Sequence, residues 1–177
     1  SYLANLHRLD RNTSGVMLFA CRKEILVRMV REFNDRHVQK TYLAIIHGPP
    51  HKDEFTIDLA IAPHPHLPGL VVIDAKNGKP ASTTCKVLEL FHRYALLEVA
   101  PLTGRQHQIR IHLQAAGHSL IADNQYGDGR PLLLSTLKRG YKLKPEGEKP
   151  LLARPALALD RGRIAGGAAR ARRPARS

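Results

Sequence analysis

The chain has no tryptophan, two cysteines, five tyrosines and four phenylalanines in 177 residues. So few aromatics argue against a stacking platform for single-stranded nucleic acid. Cys21 and Cys85 stand far apart with no CxxC. That excludes a disulfide framework or a zinc ribbon and fits a reducing, cytoplasmic setting. No run approaches the roughly 18 apolar residues of a membrane span, and the opening residues do not read as a charged-then-apolar leader. Acidic residues are scarce as well, 15 against 28 Lys and Arg, for a formal charge of +13. Such a field attracts polyanions, nucleic acid first. Residues 160–177 hold six arginines and one aspartate, a charge of +5, which leaves +8 on the rest. The body is therefore basic without its tail. With 43% apolar residues there is enough to bury a core, and the length suits one domain.

A polar cluster, HRLDRNTSG at 7–15, precedes an apolar run at 16–20 that reads as a buried strand. Residues 24–36 carry Ile25, Leu26, Met29, Val30 and Phe33 at helical spacing. KTYLAIIH at 40–47 reads as a strand closed by Gly48-Pro49-Pro50, and a short strand is expected near 55–61. Asn77-Gly78 between residues 71–75 and 82–90 predicts a β-hairpin. Residues 94–100 give another strand. A helix is expected over 105–116, opened by a Thr103-x-x-Gln106 capping box and ended by Gly117. Strands dominate and do not alternate with helices, which favours an α+β fold with a mixed, largely antiparallel sheet flanked by helices. The Arg/Ala/Gly stretch at 158–177 is expected to be disordered.

Two clusters carry chemistry. Asp10 lies among His7, Arg8 and Arg11, just before Thr13-Ser14-Gly15. A carboxylate in a basic neighbourhood stays ionised, yet it repels phosphate. Such a group is a candidate nucleophile or base; the plainer alternative is an Asx turn with Thr13 or Ser14. HRLD is not the kinase catalytic loop, because the aspartate comes one place late and no Gly-rich loop or DFG is present. The second cluster, LTGRQHQIRIH at 102–112, is too polar and basic for an ordinary core helix; its plainer alternative is a capped surface helix. Its N-terminal end, after Gly104, would offer free backbone N–H groups to an anion. His107 and His112 are five apart, without HExxH, so no metal site is expected.

HRLDRNTSG, KTYLAIIHG and PLTGRQHQIRIHLQAAGHSLIADNQYG, in this order and spacing, resemble the motifs of RluA-type pseudouridine synthases. The resemblance runs from about Leu6 to Gly127. It implies isomerisation of selected uridines in structured RNA, ribosomal or transfer, with no cofactor, no metal and no membrane, by a monomer. Asp10 matches the family's essential aspartate, which either attacks C1′ of the ribose or removes a proton from C2′. Tyr42 matches the pocket tyrosine packed on the target base, and Arg110 the arginine that pairs with the catalytic carboxylate. Arg8 matches an arginine that fills the space of the extruded base. Arg11, Lys40, Arg105 and His107 are expected to contact RNA, and Ile109 and Ile121 to line the pocket. Tyr42 as a core-facing strand aromatic and Arg110 as a surface cation remain the plainer alternatives.

The chain also departs from the family. The residues that precede HRLD in relatives, with strands resembling vvnKPaG, have no counterpart, so a partial catalytic domain over 1–157, lacking its first strands, is expected. Relatives read GxPIxGD where residues 117–123 are GHSLIAD, replacing proline and glycine. Lys138-Arg139-Gly140-Tyr141 resembles an inserted basic loop. Residues 154–158 start like the family's RLALHA strand and then run into the tail, as a frameshifted end would. A partial domain is expected to be less stable and weakly active, which leaves an RNA-binding remnant without turnover as the alternative function.

Overall fold

A computed structural model describes residues 2–138, 140–142 and 147–164, with backbone alone for 161–164. In chain order the elements are β1 (Ala4–Asn5), β2 (Ser14–Gly15), β3 (Phe19–Ala20), α1 (Lys23–Asn34), β4 (Val38–His47), β5 (Glu54–Asp58) and β6 (Ile61–Pro63). There follow β7 (Val71–Ile73), β8 (Ser82–Leu90), β9 (Tyr94–Pro101), α2 (Gln108–Ala115), α3 (Leu134–Leu137) and β10 (Leu157–Ile164). Six strands form one sheet in the order β2-β10-β4-β9-β8-β5. Every pair is antiparallel except β2 with β10, so the sheet is mixed and largely antiparallel. β6 pairs with β7, and β1 with β3, in two small sheets. The fold is α+β.

Period-two alternation places the core. Ala95, Leu97 and Val99 of β9 are buried, while Leu96 and Glu98 between them are half-buried. On β4 the same rule puts Lys40, Tyr42, Ala44 and Ile46 on one face. Ala44 and Ile46 join the core with Leu97, Val99, Ile109, Leu113 and Leu157. Tyr42, half-buried, packs against this core, and together with Lys40 it carries the face on to the site.

Helix α2 lies across this face and is buried from Gln108 through Leu113. Ile109 and Leu113 enter the main core. Ile111 enters a second one, with Ile61, Val71, Ala81 and Tyr126 beside β6 and β7. Covered on both sides, α2 is not a capped surface helix. It starts three residues later than its sequence predicts. His107 takes a left-handed conformation, φ 50°, and no side chain caps the helix. The Thr103 hydroxyl donates instead to Gln108 Oε1 (2.7 Å), and Gln106 leaves the helix to donate to the Gly69 carbonyl. The C-terminus is as expected. Gly117, φ 84°, donates to the Gln114 carbonyl and His118 to that of Leu113, which is a Schellman motif.

Three other expectations are corrected, and one is met. The run at 16–20 gives only the two-residue β3, and Val16 and Phe19 are exposed among the described residues. Helix α1 forms over nearly the expected span, but none of its residues is buried. Asn77-Gly78 does turn the chain, held by Asp74, whose Oδ1 accepts from Lys76 and Asn77 N–H. It does not join a hairpin, however: β7 pairs with β6, and β8 with β5 and β9. The last correction concerns residues 158–164, which were expected to start the disordered tail. They are strand β10, paired with β4 from Leu157–Ala44 to Ile164–Val38 with a bulge between Leu159 and Arg161. Backbone pairing with β4 orders this Arg/Gly-rich stretch, and Leu157 and Leu159 are its buried anchors. Residues 165–177 and Arg139 lie outside the described residues.

Candidate active site

The HRLDRNTSG loop is clamped at both ends. Leu18 N–H donates to His7 Nε2 (3.2 Å) and Leu6 N–H to the Leu18 carbonyl (2.9 Å). At the far end β2 lies against β10. Gly15, φ 127°, is required there, because a Cβ would come within 2.3 Å of the Leu159 carbonyl oxygen. Between the clamps Thr13 N–H donates to the backbone carbonyl of Asp10 (2.9 Å). The turn therefore uses the main chain of Asp10 and leaves its carboxylate free. Among the described residues that carboxylate has no hydrogen bond and no ion pair, so an Asx turn does not account for it.

Asp10 opens into a cleft of about 330 Å³. Arg8 and Thr13 join it from the loop, Lys40 and Tyr42 from β4, Arg105 and His107 from the β9–α2 connection, and Ile109 and Arg110 from α2. Burial and the nearby Asp10 charge both raise the Tyr42 phenol above its ordinary value, so it is protonated at neutral pH. Burial lowers the Lys40 ammonium. Its Nζ sits over Gly104, where an added Cβ would lie 3.4 Å away. Gln108 pins the β9–α2 connection to β8. Its Oε1 accepts from Thr103 and from Arg105 N–H, and its Nε2 donates to the Ser82 carbonyl and Thr83 Oγ1. The Arg105 N–H is thus occupied and not open to an anion, contrary to the expectation for that turn.

The expected pairing of Arg110 with Asp10 is not found. Arg110 Nε and Nη2 donate to the two oxygens of Asp123 at 2.7 and 2.6 Å, and Nη2 also donates to Gln125 Oε1. The pair is buried, Arg110 at 3% and Asp123 at 0% exposure. Burial would raise the Asp123 carboxyl, but Arg110 and the N–H groups of Gln125 and Tyr126 hold it below its ordinary value. The Arg110 guanidinium also lies 4.9 Å from the Tyr126 ring centroid. Tyr126 OH accepts from Val71 N–H and bonds His107 Nδ1 (2.9 Å).

The cleft thus gathers Asp10, Tyr42, Arg110, Arg8, Lys40, Arg105, His107 and Ile109. It leaves out Arg11, which faces neighbouring depressions, and Ile121, which is buried beside β4 with its N–H on the Ile45 carbonyl. Asp123, Gln108 and Tyr126 were missed, although the ADNQYG ending of the third motif contains two of them.

Comparison with known proteins agrees with this architecture. A family model described as RNA pseudouridylate synthase matches residues 1–115. The chain belongs to the RNA pseudouridylate synthase family. Among curated relatives, Ribosomal large subunit pseudouridine synthase C of Vibrio vulnificus is 38% identical over 132 residues, 73% of this chain and 40% of that protein. The Buchnera aphidicola protein of the same name is 36% identical over 144 residues, 80% of this chain and 45% of the relative. The chain thus spans less than half the length of these relatives. Among solved structures, Human RNA Pseudouridylate Synthase Domain Containing 1 aligns with a TM-score of 0.73 and 30% identity over 92% of this chain and 64% of that one.

Two consequences for stability follow. Ala122 holds φ 59° while buried. A left-handed alanine costs about 1–2 kcal/mol, of which glycine's greater freedom when unfolded takes back about 0.4–1. Ala122→Gly is therefore expected to raise the urea midpoint modestly, and a lower midpoint would contradict this.

The second concerns acid. Gln108 Nε2 donates to Thr83 Oγ1, Thr83 Oγ1 and His112 Nδ1 share a hydrogen bond (2.9 Å), and His112 Nε2–H donates to the Leu59 carbonyl (3.0 Å). Burial lowers His112, His7 and His107 below the usual 6.5. Their stabilisation is fully present above pH 6.5 and is lost as pH falls, because the unfolded chain takes up protons first. The urea midpoint should drop between pH 7.5 and 5.5, and the drop should narrow in His112→Gln. A midpoint that rises on acidification would contradict this account.

Proposed function

We propose that this chain converts uridine to pseudouridine in ribosomal RNA of the large subunit, with Asp10 as the catalytic carboxylate. The single supporting observation is that carboxylate. It is half-buried at the cleft wall, unpaired among the described residues, and faced by Tyr42 and by side chains that favour RNA phosphate. The large-subunit substrate follows the names of the relatives. In the reaction the N1–C1′ bond breaks, the uracil turns, and a C5–C1′ bond forms; N1 ends with a proton and C5 without one. Atoms balance with no added reactant. Asp10 serves either by attack on C1′ or by taking a proton from C2′, and both need one ionised carboxylate within reach of a ribose.

Tyr42 packs on the uracil, with its protonated phenol placed for the late proton transfers. Ile109 supplies an apolar wall. Arg8, exposed at the mouth, fills the gap left by the extruded base and so lowers the cost of flipping. Lys40 and Arg105 meet phosphate. Arg110 sets the charge at the cleft floor through its pair with Asp123. The test is chemical mapping of pseudouridine in large-subunit RNA transcripts incubated with the chain. New pseudouridine at discrete uridines supports the proposal. Binding without product would instead assign an RNA-binding remnant.

A further inference from the structure

Beside the Asp10 cleft lies a second depression of about 460 Å³, and His107 and Arg110 form part of both walls. Its other lining groups are Arg11, Asn12, Asn124, Gln125 and Arg154. All are polar, and no carboxylate is among them. Arg110 is neutralised by Asp123. Arg11 and Arg154 are not: among the described residues neither guanidinium has a hydrogen bond or an ion pair. The side-chain amides of Asn12 and Asn124 are equally unpartnered. Gln125 gives its oxygen to Arg110, which leaves its NH₂ free to donate. The basin therefore offers two unneutralised guanidinium forks and three amide donors to one small volume. That donor set suits an anion with several acceptor oxygens, such as a phosphodiester.

The elements that build it are separate in sequence. Arg11 and Asn12 come from the clamped loop, Asn124 and Gln125 from the turn fixed by Asp123, and Arg154 from the segment entering β10. The structure assigns this basin to the RNA phosphodiester next to the target nucleotide, so that a strand with its uridine in the Asp10 cleft crosses the His107–Arg110 wall into it. The inference rests on the uridine site proposed above. It gives Arg11, which lies outside the cleft, a definite role, and it adds Arg154, Asn12, Asn124 and Gln125 to the RNA-binding surface.

The test uses the full chain and a large-subunit RNA transcript, with affinity measured across a salt series for Arg11→Ala, Arg154→Ala and Arg154→Lys. Arg93→Ala, in the β8–β9 turn, serves as a charge-matched control. Each basin alanine variant should weaken binding roughly tenfold. Each should also flatten the slope of log K against log salt by about 0.7–0.9. Arg154→Lys should restore most of the slope, and Arg93→Ala should leave it near the wild-type value. Turnover should show a raised KM with kcat little changed. Wild-type slopes in both basin variants, or the same loss in Arg93→Ala, would overturn the assignment. Failure of the uridine proposal would look different: wild type itself would make no pseudouridine, whatever the salt slopes.

Discussion

Asp123→Ala should cost about 3–5 kcal/mol of stability, because it leaves the Arg110 guanidinium buried without its counter-charge. That is a large share of the roughly 5–15 kcal/mol that holds a domain folded. Asp123 is fully buried and accepts two bonds from Arg110 and two from backbone N–H groups, so alanine also orphans those N–H donors. Asp123→Asn should cost less, since an amide oxygen still accepts from Gln125 and Tyr126 N–H. Removing both charges, as in Arg110→Met with Asp123→Leu, should recover much of the loss, because two desolvated charges disappear together. Urea unfolding of the four proteins measures this. Equal stability of Asp123→Ala and wild type would contradict the buried pair.

The second large effect is on turnover. Asp10→Asn should lower the single-turnover rate by at least about a thousandfold, the scale of losing a nucleophile or general base. It should barely affect folding. The carboxylate has no partner among the described residues, and the turn uses the main-chain oxygen, which asparagine retains. RNA binding should hold or tighten slightly, since a negative charge facing phosphate is removed. Stability and activity thus separate: Asp123 is expected to matter through folding, Asp10 through chemistry.

Much of this was legible in the sequence because it rests on local signals. The strand expected over 94–100 is β9, and Gly117 ends α2 as expected. The spacing of three motifs gave the family and brought eight of ten expected site residues to one cleft. What was not legible depends on partners distant in sequence. The start of α2 moved because the Gln108 side chain, held by Thr83 on β8, claimed Thr103 and the Arg105 N–H. β10 was hidden by its composition, since a backbone ladder with β4 orders it. The resemblance pairs Arg110 with Asp10, whereas here the turn after α2 brings in Asp123 as its partner. The packing role of Gly15 appears only once Leu159 is against it. The strain at Ala122 shows only in the positive φ of its backbone.

The most direct measurement is tritium release from a large-subunit RNA transcript labelled at uridine C5, under single turnover, with wild type and Asp10→Asn at matched RNA occupancy. The account predicts release by wild type alone, with Asp10→Asn folded, bound and silent. Release by Asp10→Asn at the wild-type rate would show that another group does the chemistry, and the assignment of Asp10 would fail.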